Sequence, residues 1–390
     1  MRWFLLALSL VAASAAENPH VEKGFDHFYN LEYDEAIESF QKAVAAAPDE
    51  PDYLNHLAQS VLYKAMFRAG ALESELVSGN NPFVSRNRVL TDAEEQKLFD
   101  TSINRSLALA QAAKGKNNSD VRALYAEGVA YGIRSNYNFL VRKAWRDALR
   151  DATTARSLHN RISEIDPSNI DARLVQGLHD YVVGSLPFTY KILGFLAGFH
   201  GDRDLGVRTL EMVARKGDQN RYDAQILLAV IYRRERHAQK AIPLLEALIQ
   251  RYPRNYLFRF ELVQMFADLG KKDDALAVLE TLEDLQKRKL AGMQRLAIEK
   301  IYYMRGNLLF WYREYDIALG QLARVTPKAA QLDVNTGMNA WLRTGQCLDM
   351  KGQRSKALEA YRQAIGGSAD SDAAKEAKKY LGSPYRRPAG

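Results

Sequence analysis

Between Tyr222 and Leu282 the apolar positions fall into a register that occurs twice. Ala229 and Tyr232 lie on one helix, and Ala241, Leu245 and Leu248 on a second that runs to Pro253. Val263 and Phe266, then Ala275, Leu279 and Leu282, answer them 34 residues later at every position. Recurrence at three and four residues predicts amphipathic helices, two per unit. A helix pair with one apolar face cannot bury it alone, so the register should continue on both sides.

Carried outward, the register finds about eight units. In the first, Gly24 takes the small position of one helix, and Tyr33, Ala36, Phe40 and Ala43 mark the second, stopped by Pro48. The second is interrupted. A helix runs from Pro51 to Leu76, then a polar loop from Ser78 to Arg88, then a helix to Lys114 whose Thr91 and Glu94 have capping-box spacing. The third opens at Asp120 with Gly128 and Tyr131. Its second helix reads as unusually long, from about Tyr137 to Ile165, with Ala155, His159 and Ile162 in register. Ser168 is placed to cap the fourth, through Leu174, Gly177 and Leu178. Asp202 starts that unit's second helix, where Gly206, Leu210 and Val213 hold the register. The seventh carries Gly306, Leu309, Tyr315, Ala318 and Leu322, with nine extra residues around Gln286 to Gln294 that read as a basic hinge. The eighth carries Trp341, Gly345, Leu348, Ala357, Tyr361 and Ala364. A helix over Ser371 to Leu381 would cap the last apolar face, and residues 383–390 read as a disordered tail.

This period and these residue types resemble the tetratricopeptide repeat, whose sparse pattern is W-x2-L-G-x2-Y, then A-x3-F, then P. The resemblance implies an all-α fold: a right-handed superhelix of about eight helix pairs over residues 17–382, with extended helices and an apolar insert. It also implies a scaffold for protein–protein interaction, whose concave face holds a peptide or a partner helix.

The departures from the register are where function is expected. Arg142, Arg146 and Arg150 recur every four residues on the long helix. They read either as a solvated face with local pairs such as Lys143–Asp147, or as a contact for an anion or acidic peptide. Asn136, Asn138, Arg142, Arg146 and Arg233 are the candidate partner-binding residues, named from polarity and position. The run from Ser185 to Gly201 is apolar and holds Leu186, Phe188, Phe195 and Phe199. It is short for a bilayer span and carries Pro187. It reads as a helix buried against the array, or alternatively as a lipid or partner contact, which keeps a membrane surface among the possible partners. Leu186-Pro187, Lys191-Ile192-Leu193 and the stretch from Gly198 to Gly206 also resemble a segment of the eukaryotic inclusion body clearance proteins, a branch of the same repeat family. That branch implies interaction roles without settled catalysis.

Composition adds an address. Arg2, the apolar stretch Trp3 to Ala13 and small residues up to Ala16 match a secretory signal over residues 1–16, so export to a periplasm or the outside is expected. The single cysteine, Cys347, excludes an intrachain disulfide and reads as a small buried apolar residue. Net charge is +7 over 390 residues, a mild excess that suits solubility. The seven histidines show no zinc-ligand spacing, and no phosphate loop, dinucleotide motif or nucleophile elbow is present. Asp202 with Asp204 and Asp273 with Asp274 precede helices, where carboxylates cap. No catalytic, metal or cofactor residue is therefore assigned, and no nucleic acid or small-molecule substrate is expected.

Overall fold

The computed structural model describes residues 18–72, 88–185 and 201–387. The proposed leader and the site residues Leu186, Phe188, Phe195 and Phe199 lie outside the described residues. Seventeen α-helices follow one another there: α1 (Pro19–Tyr29), α2 (Tyr33–Ala46), α3 (Pro51–Arg68), α4 (Ala93–Lys116), α5 (Val121–Tyr137), α6 (Trp145–Ile165), α7 (Arg173–Gly184), α8 (Arg203–Lys216), α9 (Arg221–Arg234), α10 (Ala238–Arg251), α11 (Tyr256–Asp268), α12 (Lys272–Lys287), α13 (Ile298–Trp311), α14 (Tyr315–Leu322), α15 (Val334–Met350), α16 (Arg354–Gly367) and α17 (Asp372–Gly382). They form eight consecutive antiparallel pairs and a capping helix, the right-handed solenoid expected. Each helix packs chiefly on its chain neighbours.

Small residues set the spacing within a pair. A Cβ at Gly24 would lie 2.5 Å from the Phe40 ring, one at Gly345 2.4 Å from Tyr361, and one at Gly128 2.9 Å from His159. The helix axes approach because a side chain is missing on one side and a ring fills the gap on the other. Ala36, Ala155 and Ala357, one turn before those rings, are buried. Cys347 is wholly buried as expected, and burial pushes its thiol up to about 12. In the fourth pair, where no ring is available, Gly206 would strike the Tyr181 backbone at 2.4 Å, so α7 and α8 touch backbone to backbone.

Several local expectations shift. The long helix from Tyr137 does not form. After α5 the chain makes one π-turn (Asn138–Arg142), reverses at Lys143 with φ 56°, and restarts as α6. The carbonyls freed by the break are satisfied from another segment. Val89 N donates to Leu140 O at 3.0 Å, and Arg88 Nε to Val141 O at 2.6 Å. Arg142 therefore belongs to the turn rather than to the face carrying Arg146 and Arg150, and no single basic stripe exists. Asp147 pairs with Arg150 rather than with Lys143. α3 ends at Arg68, short of Leu76. The cap of α4 is Asp92 with Glu95, one residue after the expected Thr91 and Glu94. Ser168 does not cap α7, which begins at Arg173. Asp202 does cap α8, accepting from Asp204 N and Leu205 N.

Two expectations of loose chain are overturned by packing. The stretch from Gln286 to Gln294 is not a hinge: Met293 within it is buried, as is Leu296 just beyond, and Arg295 reaches back to the first pair, bonding Glu35 at 2.6 Å and Leu31 O at 3.1 Å. Beside it Arg254 bonds Glu32 and Asp26, its backbone N–H donates to Asn30, and Asn255 donates to Tyr29 O. Gly292 lies against Arg254 at φ 83°, where a Cβ would meet Arg254 at 2.5 Å. The first helix pair is thus clasped onto the middle of the array. Nor is the tail disordered through Arg387. Tyr385 is buried against Phe310 and Tyr380, and its N–H donates to Asp349 at 2.8 Å.

Candidate functional site

The clasp divides the inner surface in two. Toward the N-terminus the first helices of the pairs face their own chain. Tyr29 packs against Tyr222 and Tyr252, the Tyr29 hydroxyl faces Asp223, and Asn220 donates to the Tyr125 hydroxyl at 2.8 Å. This half is filled by the start of α9. Burial raises Asp223 and Asp52 each to about 6 and lowers His56 to about 4.

Toward the C-terminus the described residues leave a groove of about 860 Å³ on the inner surface. It is lined by α9, α11, α13 and α15, the first helices of four successive pairs, with α17 and Arg387 closing one end. Residues four apart share a helix face. That rule brings Gln264 and Asp268 of α11, Asn307 and Trp311 of α13, and Asn335, Asn339 and Arg343 of α15 to the same wall. The floor is apolar where Val263, Met304 and Leu308 reach it.

Polar groups in the groove divide into spent and unspent. Arg233 is held by Glu261 and Asp268 and by Gln264 at 3.1 Å. Glu376 accepts from Gln346 and from the Tyr380 hydroxyl. Asp372 pairs with Lys375. Asn307, in contrast, is 8% exposed, and among the described residues its Oδ1 has no hydrogen-bond partner. A buried amide oxygen without a donor is a costly arrangement in an empty site. Arg343 lies over the rings of Phe310 (4.4 Å) and Trp311 (5.1 Å), bonded to Gln346, with Nε unpartnered. Arg387 lies over the same Trp311 ring at 5.5 Å and donates to Trp311 O, with Nη1 unpartnered. Among the described residues no carboxylate is bonded to either guanidinium.

Of the five candidate residues, only Arg233 lines the groove. Asn136 and Arg146 are exposed elsewhere on the surface. Asn138 is buried: its amide donates to Asp151 and its oxygen accepts from Arg142. Asp151, 1% exposed, is held in addition by two bonds from Arg134, so this polar knot braces the π-turn. Arg142 also pairs with Asp100 and stacks on Tyr137, facing α4 rather than the inner surface. Asn307, Asn335, Asn339 and Arg343 stand in four-residue rows that are visible in the sequence, whereas Arg387 lies beyond the last helix and belongs to no such row. Among the described residues no cluster of three or more His, Cys, Asp or Glu could hold a metal ion. No described helix is long and apolar enough to cross a membrane.

Two family models, each described as tetratricopeptide repeat, match the chain, one over residues 22–63 and 226–287 and the other over residues 339–366. They match the repeat itself and not the inclusion body clearance branch. No curated protein matches the sequence. Among solved structures the chain is similar to yeast Tom70, at 14% identity and TM-score 0.40, over 94% of this chain and 89% of that one. It is similar to human IFIT1, solved as a dimer with m7Gppp-AAAA, at 11% identity and TM-score 0.44, over 93% and 79%. It is also similar to YrrB, described as a TPR protein with an unusual peptide-binding site, at 17% identity and TM-score 0.32, over 69% and 97%.

Proposed function

We propose that this chain, a tetratricopeptide repeat protein, is an exported scaffold that holds an extended segment of a partner protein in the groove between α9 and α17. The observation that carries this reading is Asn307. Its buried Oδ1 only accepts, so it calls for an N–H, the group an extended backbone presents at every second residue to each side. Asn335 and Asn339 stand on α15, the first helix of the next pair, and Val263, Met304 and Leu308 offer apolar seats in the same groove. Export enters through the leader-like N-terminus. The filled N-terminal half supports a division of labour, with one half as a rigid base and the other as the binding face.

The test is to pan displayed random peptides against the full chain and to map the enriched peptides by hydrogen exchange. Protection should concentrate on α11, α13 and α15, and Asn307→Ala should weaken binding by about tenfold, the worth of a well-placed buried bond. Protection confined to α1–α8, or peptides indifferent to Asn307→Ala, would sink the proposal.

A further inference from the structure

We infer that the segment held in the groove is acidic, and that its carboxylate is taken up at Trp311 by Arg343 and by Arg387, a residue supplied by the tail beyond the last helix. This rests on the groove reading above and adds the chemistry of the partner. Both guanidinium groups lie within 5.5 Å of one indole ring. Each keeps one buried N–H without a partner among the described residues. Two like charges gathered at one ring repel, and an anion at that ring offsets the repulsion. The groove's own carboxylates do not serve: Asp268 is occupied by Arg233, Asp372 by Lys375, and Glu376 by Gln346 and Tyr380.

The arginines are held in place. Tyr385, two residues before Arg387, is buried, and its N–H is fixed on Asp349, a carboxylate that also takes the Tyr361 hydroxyl and Arg354. Planar guanidinium stacked on an aromatic face keeps its edge N–H groups free for a carboxylate in plane. Asn307 lies one helical turn before Trp311 on α13, so one extended segment can meet both. The same carboxylate chemistry could come from a glutamate or aspartate side chain or from a chain terminus.

The test uses the full chain and three fluorescein-labelled peptides of about ten residues, read by fluorescence anisotropy. One alternates alanine and glutamate with an amidated end, the second replaces glutamate by glutamine, and the third is the glutamine peptide with a free terminal carboxylate. The glutamate peptide should bind about tenfold or more tighter than the amidated glutamine peptide, as expected for charge-assisted bonds. That preference should fall in Arg387→Gln and in Arg343→Gln, and be partly kept in Arg387→Lys, which retains the charge without the plane. Tight binding of the third peptide, lost in the same variants, would assign the carboxylate to a chain terminus. Equal binding of all three, still weakened by Asn307→Ala, would overturn the acidic inference and leave the groove reading standing. If none binds, both fall. Circular dichroism melting of each variant separates loss of binding from loss of fold.

Discussion

Replacing Gly345 by alanine should destabilise the protein, while replacing Gly132 by alanine should stabilise it, although both lie inside helices of the same kind. A Cβ at Gly345 would sit 2.4 Å from Tyr361 Cε1, 2.7 Å from Cδ1 and 2.9 Å from Cζ. Carbon atoms pack at about 3.5–4.0 Å, so the ring must retreat by about 1 Å. It has little room: Tyr361 is fully buried, and its hydroxyl is bonded at 2.8 Å to Asp349. Overpacking costs roughly 1–3 kcal/mol, and loosening that hydrogen bond adds about 1 kcal/mol. Alanine returns about 1 kcal/mol through helix propensity, so the net loss is about 1–3 kcal/mol. At Gly132 nothing lies within 4 Å of a built Cβ, so only the propensity gain of about 1 kcal/mol remains. Urea unfolding of the full chain, followed by circular dichroism at constant slope, measures both. The close-approach argument also requires that Gly345→Ala cost little in a Tyr361→Ala background, a coupling a double-mutant cycle isolates. If both glycine variants shift stability in the same direction, or if the two substitutions at the pair simply add, the reasoning is refuted.

Arg254→Met keeps the stem but strands Glu32 and Asp26. It should cost about 2–4 kcal/mol and open the first helix pair to proteolysis near residues 30–50, whereas cleavage confined to other regions would dissociate the clasp from the stability of that pair. Burial raises Asp223 from 3.8 to about 6, so its contribution is complete below pH 3.8 and is lost as pH rises through 6. Asp223→Asn should therefore gain roughly 3 kcal/mol relative to the parent at pH 7 and lose that advantage near pH 4, measured by paired melting curves. Terminal sequencing of protein secreted by an exporting host should find the chain beginning at Ala16 or Glu17, and retention of Met1 in that fraction would remove the leader from the functional reading.

The repeats were legible because their packing is local. Gly24 and Phe40, or Gly345 and Tyr361, stand 16 residues apart, so one period carries both the gap and the ring that fills it. The π-turn was not legible. Asn138 and Asp151 look like surface residues until folding buries them together, and the segment that satisfies Leu140 and Val141 lies about fifty residues upstream. The groove was half legible: the rows Asn307–Trp311 and Asn335–Asn339–Arg343 obey helical spacing, but polarity on a repeat helix is ordinary unless the neighbouring helices are known to leave it uncovered. Arg387 had no signal, since Ser383 to Gly390 is polar, proline-bearing and terminal.

A linear stack of repeats can begin to fold anywhere and fray from either end, because each unit answers only to its neighbours. The bonds from Arg254 and Arg295 to Asp26, Glu32 and Glu35 join residues 222 to 260 positions apart and change that rule. The first pair finds its final partners only after α10 to α13 are in place, so the chain carries a slow, non-local closing step that an open array lacks. Once closed, the N-terminal end no longer frays as an end. Its amides should exchange with solvent on the timescale of the central helices, and the fragility of the array moves to the unclasped side, where the groove lies.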